Sequence, residues 1–192
     1  DTTQERELRV DFLINNAGLL QNGFFTDIDL QRQEQMMSVN MLALTSLTHL
    51  YANDMLSRGG GHILNVSSLA AATPIPNQNV YAASKAYVLA FSQALANELK
   101  AVNSGVSVTA LCPGFTATKM MDNPDQGARL SIPSMLLQPA REVAQQGIDA
   151  CLAGRSKWVP GLANRLTGWI AAVLPNALLL PAVGGFYRKN MR

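Results

Sequence analysis

The sequence predicts an α/β domain on a mostly parallel, doubly wound sheet. Three observations lead there. Segments of strand type alternate with segments of helix type along the chain. The main strand candidates are continuous apolar runs, the kind buried on both faces of a parallel sheet. Polar clusters fall at or just past the carboxyl ends of those runs, where open α/β sheets hold ligands. The 192 residues are 48% hydrophobic and 15% charged, enough for a buried core. This composition excludes a disordered, collagen-like, coiled-coil or disulfide-scaffold chain. A net charge of +2 with no run of Lys or Arg leaves no electrostatic footprint for nucleic acid. Cys112 and Cys151 have neither zinc-site nor C-x-x-C spacing and read as two reduced thiols. No signal peptide is visible, so the expected location is cytoplasmic.

The first strand is predicted over residues 10–15, followed by a loop over 18–23. Asp27 and Asp29 are the N-cap candidates for a helix reaching about Arg58, where Gly59, Gly60 and Gly61 stop it. A second buried strand covers 62–67. After a Pro-containing loop, a long helix carries Tyr81, Lys85, Phe91, Leu95 and Leu99 to about Asn103. The strand over 106–112 closes on Pro113-Gly114. Residues 115–139 show no clear period, and structureless stretches of that length within compact domains are usually functional. A helix over 141–152, a short strand over 157–159 and an apolar tail over 162–186, broken by Pro and Gly, complete the order.

The pentapeptide Tyr81-Ala-Ala-Ser-Lys85 carries the most chemistry. Positions four apart on a helix share a face, so phenol and ammonium meet in one site. A free tyrosine has a pKa near 10; an adjacent cation stabilises the phenolate, making the pair a general acid/base unit. Alone, this spacing is common by chance. Here it stands in order with Asn15-Asn16-Ala17-Gly18 after the first strand, Asn40 in the next helix, Asn65-Val66-Ser67-Ser68 ending the second strand, and Pro113-Gly114-Phe115-Thr116-Ala117-Thr118 ending the third. His49 and His62 have no partners at metal spacing, so no metal site is expected. The serines lack a G-x-S-x-G elbow.

In the type, order and spacing of these motifs, residues 10–159 resemble the classical short-chain dehydrogenase/reductase family. The resemblance implies a Rossmann-like fold and a catalytic tetrad of Asn40, Ser68, Tyr81 and Lys85, with Ser67 as the alternative serine. It implies reversible hydride transfer between a nicotinamide and a carbonyl or alcohol carbon. Tyr81 would exchange the proton, Ser68 would hydrogen-bond the reacting oxygen, Lys85 would lower the Tyr81 pKa and bind ribose hydroxyls, and Asn40 would hold a relay water. Asn15, Ala17 and Gly18 divide between bracing the sheet and admitting the cofactor's adenosine half. Pro113 and Gly114 would turn beneath the nicotinamide, with Thr116 and Thr118 reaching its carboxamide or the pyrophosphate. The cofactor is NADP or NAD, with NADP ranked slightly ahead.

The family's Gly-rich phosphate loop does not precede Asn15, and with it the residue that selects NAD or NADP is missing. On this reading, residues 1–192 are one partial domain lacking its first half-fold, with 1–9 ending a helix, and turn nothing over by themselves. The apolar tail, with Met120, Met121, Met135, Leu136 and Leu137, points to an apolar substrate of fatty-acyl or steroid-like type. Short helices over the cleft or at an interface are expected in the tail rather than a spanning helix, and peripheral membrane association is the minor reading. The helices over 29–58 and 81–103 carry apolar residues on more than one face, as in a homodimer or homotetramer. The competing readings are a non-catalytic binding or scaffold member, and a nucleotide-sugar epimerase-type enzyme, whose larger substrate domain does not fit the remaining length.

Overall fold

The computed structural model describes residues 8–122 and 124–191. Strand β1 (Phe12–Asn15) leads through a loop to helix α1 (Leu30–Met37). Asp29 caps α1, its carboxylate accepting the Gln31 N–H at 2.7 Å. Asp27, the other candidate, lies in a 3₁₀ turn instead. A π-helical turn (Ser38–Ala43) joins α1 to α2 (Leu44–Ser57), so the helix expected up to Arg58 is one rod with a wide turn inside it. Then follow β2 (Gly61–Val66), a 3₁₀ turn (Leu69–Ala72), α3 (Asn79–Ala101), β3 (Val106–Leu111), β4 (Thr116–Ala117), β5 (Gln138–Pro139), α4 (Ala140–Leu152), β6 (Lys157–Trp158), α5 (Leu162–Val173) and α6 (Asn176–Asn190).

The main sheet has the order β1-β2-β3-β6 and every neighbouring pair is parallel. The alternation expected of a pleated strand sorts its core. Ile63 of β2 and Val106 and Val108 of β3 face Ala52 and Met55 of α2 and Leu99 of α3. Leu64 and Leu111, on the opposite side, face Val143 and Cys151 of α4. The sheet is thus covered by α2 and α3 on one face and by α4 on the other.

Two expectations need correction. The first apolar run is not buried on both faces: Ile14 is 48% exposed, because β1 is the edge strand and pairs only with β2 among the described residues. The tail is less broken than its composition suggests. It bends once, between α5 and α6, and α6 runs through Pro181, Gly184 and Gly185. Tertiary packing overrides propensity there: Gly184 lies against Pro76, and Tyr187 is buried with Ala70, Ile75 and Ala82. Residues 1–7 of the expected N-terminal helix end lie outside the described residues. Among the described residues no helix is long and apolar enough to cross a membrane.

Gly105 makes the turn into β3 with φ +72°, and a Cβ there would overlap the Gly59 carbonyl oxygen; Gly154 has φ +66° with open space around it. Gly154→Ala is expected to cost about 1–2 kcal/mol, the left-handed penalty alone. Gly105→Ala is expected to cost clearly more, since backbone must also move. Urea midpoints of the two variants test the ranking.

Candidate active site

The floor of the site is set by two buried asparagines in register, Asn15 on β1 and Asn65 on β2. Asn15 Nδ2 donates to Asn65 Oδ1 at 2.8 Å and to Thr48 Oγ1 of α2 at 3.0 Å. Asn65 Nδ2 donates in turn to Ser92 Oγ of α3 at 3.0 Å. The Asn15 amide is therefore committed to bracing the sheet, and it is Asn16 that lines the cavity above.

Past Asn65 the chain presents Val66, Ser67 and Ser68 to the first turns of α3. Lys85 is only 4% exposed; its Nζ donates to the Val66 carbonyl at 2.9 Å and lies 5.8 Å from the centroid of the Tyr81 ring. Burial lowers the Lys85 ammonium to about 8, with nearby Cys112 opposing this weakly. No salt bridge neutralises Lys85 among the described residues. The two adjacent serines separate by role. Ser67 is buried and its hydroxyl donates to the Lys85 carbonyl at 2.7 Å. Burial pushes the Tyr81 phenol up from its usual pKa, and nearby Ser68 opposes this by favouring the phenolate.

Asn40 sits in the π turn, fully buried, and grips one residue of the loop after β1 from both sides. Its Oδ1 accepts the Leu19 N–H at 2.8 Å and its Nδ2 donates to the Leu19 carbonyl at 2.9 Å. The same Nδ2 reaches Ser84 Oγ at 3.0 Å, and Ser84 donates to the Tyr81 carbonyl. Gly18 fits between these groups: a Cβ there would stand 3.4 Å from both Asn40 Oδ1 and Lys85 Nζ. Asn40, Ser68, Tyr81, Lys85 and Gly18 thus come together in one neighbourhood, while Ala17 lies exposed beside it.

These groups open into a cavity of about 1380 Å³ at the carboxyl ends of the strands. Pro113 and Gly114 line it, as do Thr116 and Thr118. The Thr116 hydroxyl donates to the Gly114 carbonyl at 3.1 Å. A Cβ on Gly114 would stand 2.6 Å from the Asn164 amide of α5, so the absence of a side chain admits that helix. From the loop over residues 115–139, Met120 and Leu136 line the cavity, whereas Met135 is 88% exposed and Leu137 is half-buried outside it. The Met121 side chain lies outside what the structure describes. His62 Nδ1 is paired with Ser107 Oγ at 2.7 Å, and no cluster fit to hold a metal ion occurs among the described residues.

Tyr187 has no sequence signal, yet α6 brings it into the cavity beside Tyr81. Burial drives its phenol far above the usual tyrosine range, and the neighbouring Tyr81 adds to this. Thr73 Oγ1, also at the cavity wall, is buried without a hydrogen-bond partner among the described residues. Both depend on contacts between segments distant in sequence, which periodicity does not reveal.

Three known proteins illustrate what the chain is similar to. Ketoacyl reductase HetN of a Nostoc species is 38% identical over 108 residues, covering 56% of this chain and 37% of that protein. Nodulation protein G of Rhizobium meliloti is 32% identical over 168 residues, covering 85% of this chain and 67% of that protein. The structure of a short-chain dehydrogenase from Sphingobium yanoikuyae in complex with NADPH is 29% identical, with a TM-score of 0.71, covering 85% of this chain and 63% of that one. The chain thus spans between about two fifths and two thirds of these proteins' lengths. The family model for short chain dehydrogenases matches residues 1–128, well over half of the chain. With this match falling on the β1 to β3 unit whose strand ends carry the polar groups just described, the chain belongs to the short-chain dehydrogenase family.

Proposed function

We propose that residues 1–192 form the catalytic and substrate-binding portion of an NAD(P)-dependent oxidoreductase that interconverts a carbonyl and an alcohol. One observation carries the reading. At the cavity wall, a phenol beside Ser68 shares its helix face with a buried ammonium that, among the described residues, no carboxylate neutralises. A core that needed only packing has no use for an unpaired buried cation, which is costly to desolvate.

The residues fit a nicotinamide nucleotide. Lys85 has three N–H donors and, among the described residues, one acceptor, the Val66 carbonyl, so donors remain for ribose hydroxyls. Ala17, exposed beside the site, and Gly18 would allow close backbone approach, Asn15 holds the strand end that positions them, and Pro113, Gly114, Thr116 and Thr118, which line the cavity, would border the nicotinamide side. A nicotinamide, when bound there, would supply or accept the hydride. Tyr81 gives its proton to the carbonyl oxygen in reduction and recovers it in oxidation, Ser68 donates a hydrogen bond to that oxygen as charge develops on it, and Lys85 steadies the phenolate. Asn40 positions the loop after β1 through Leu19 and carries the proton relay to solvent through a water. The NADPH complex of the Sphingobium neighbour supports NADP ahead of NAD.

Leu20, Leu69, Met120, Leu130, Leu136 and Phe186 give the cavity an apolar wall beside polar residues such as Gln78 and Gln126, which supports a fatty-acyl or steroid-like substrate, in keeping with the ketoacyl reductase relative. Exposed Leu42, Leu47, Leu50 and Tyr87 support self-association through α2, α3 and the π turn. Two free, buried thiols, Cys112 and Cys151, suit a cytoplasmic protein.

Tyr81→Phe is expected to lower kcat by roughly 10²–10⁴-fold while leaving NADPH affinity, measured by fluorescence titration, within about a factor of two. NADPH oxidation by the full-length protein that contains residues 1–192, with ketones of graded chain length, is the assay. Retained turnover in this variant overturns the assignment. Nucleotide binding without turnover of any ketone by the parent protein favours a non-catalytic member instead.

The pH dependence follows from burial. Lys85 is lowered to about 8, so it carries its charge below that pH and loses it above, while the upward push on Tyr81 keeps the phenol protonated through the same window. The expected kcat/KM for ketone reduction is therefore level below about pH 8 and falls by up to tenfold per pH unit above it. Lys85→Met should lower the profile and remove the inflection. A wild-type profile flat from about pH 6 to 10 contradicts the role given to Lys85.

A further inference from the structure

Helix α5 has two faces with different surroundings. Asn164, Thr167, Ile170 and Ala171 line the cavity. On the other side Leu162, Leu166, Trp169 and Val173 recur at i, i+4, i+7 and i+11, the spacing of a single stripe along a helix. The stripe is bare: Leu162 is 80% exposed and Trp169 64%, with Leu166 and Val173 close to the latter. Leu174 and Leu178 carry the apolar surface past the bend into α6. Apolar residues scattered singly over a surface need no explanation, but a contiguous set centred on tryptophan marks an interaction face.

Charge selects the occupant. Residues 150–192 contain six basic side chains and no acidic one, whereas residues 1–149 contain nine basic and thirteen acidic. Arg155 and Lys157 are exposed just before α5, and Arg188 and Lys189 near the end of α6. Arg165 lies on α5 itself, its guanidinium 4.2 Å from the centroid of the Trp158 ring. Two copies meeting through this face would oppose like charges, whereas anionic headgroups complement them. The self-association surface proposed above belongs to other helices. An apolar stripe flanked by cations is the pattern of a helix lying in the plane of a bilayer interface.

We propose that the outer stripe of α5 docks on an anionic lipid surface, with Leu162, Leu166, Trp169 and Val173 entering the headgroup boundary and the basic residues of the C-terminal region meeting lipid charge. Because the inner face of the same helix walls the cavity, docking holds that cavity close to the membrane, from which an apolar molecule enters it without crossing bulk water.

The test uses sedimentation of the purified protein with phosphatidylglycerol and with phosphatidylcholine vesicles. A Trp158→Phe variant leaves Trp169 as the fluorescent reporter, since the chain has two tryptophans. The expected results are binding to the anionic vesicles, a blue shift of Trp169 emission on binding, and strong weakening at about 0.5 M salt. Leu166→Ser/Trp169→Ser should lower the partition coefficient at least tenfold with an unchanged thermal melt, because both side chains are already in water. Failure of the parent protein to bind, or equal binding by the double variant, overturns the proposal. So does a dimer, seen by analytical ultracentrifugation, that the double variant abolishes while vesicles bind neither form. None of these readouts involves turnover, so they stand or fall apart from the oxidoreductase reading.

Discussion

The hydrogen bond between the Asn15 and Asn65 side chains is the fixed point of the molecule. Neither amide reaches water, and each is completed by a hydroxyl from the helix layer, Thr48 for Asn15 and Ser92 for Asn65. Two strands and two helices are thereby locked in register at the end where the sheet opens. A buried amide left without partners costs more than its bond contributes, so the arrangement resists slippage as a unit. The functional segments leave directly from it: Gly18 and Leu19 shortly after Asn15, and Val66, Ser67 and Ser68 directly after Asn65.

Lys85 is held within that frame at both ends. Its ammonium donates to the carbonyl of Val66, and its own carbonyl accepts from the next residue along, Ser67. The paired bonds fasten α3 to the tip of β2, so the cation cannot swing out to solvent without breaking a backbone contact. Held in an apolar setting with a neutral acceptor, it keeps an electrostatic influence that an adjacent carboxylate would quench. Tyr81 lies one helical turn before it and is tied to the same assembly by Ser68 on one side and by Ser84 and Asn40 on the other.

Much of this was legible in the sequence, because it rests on short-range patterns. Strand runs, helix spacing and the placing of Asn, Ser, Tyr and Lys at strand ends are local facts, and local facts determine which elements form and which ends carry polar groups. The choice between Ser67 and Ser68 was less accessible: adjacent residues of a chain leaving a strand point in different directions, and the direction depends on where α3 lies. The apolar run of β1 does not by itself tell a central strand from an edge strand, and the half-exposed Ile14 lies at the edge of the described sheet. Tyr187, Thr73 and Asn164 were invisible for a different reason. Their relevance comes from α5 and α6 folding back over the strand ends, a consequence of packing that overrode the helix-breaking character of Pro181 and the nearby glycines.

The π turn that holds Asn40 also explains how one long rod keeps a single buried face, set against α3 at its start and against the sheet farther on. Its buried positions Met36, Asn40, Leu44, Thr48 and Ala52 recur every four residues. In a regular α-helix each such step rotates the side chain by about 40° relative to the one before, and the face would spiral away from the elements it packs on. The wide turn takes up one extra residue, a correction of about 100°, and returns the stripe to phase. Removing a single residue there would make a more regular helix and a worse protein, because Thr48 would rotate away from Asn15 and the polar layer beneath the site would lose one of its supports.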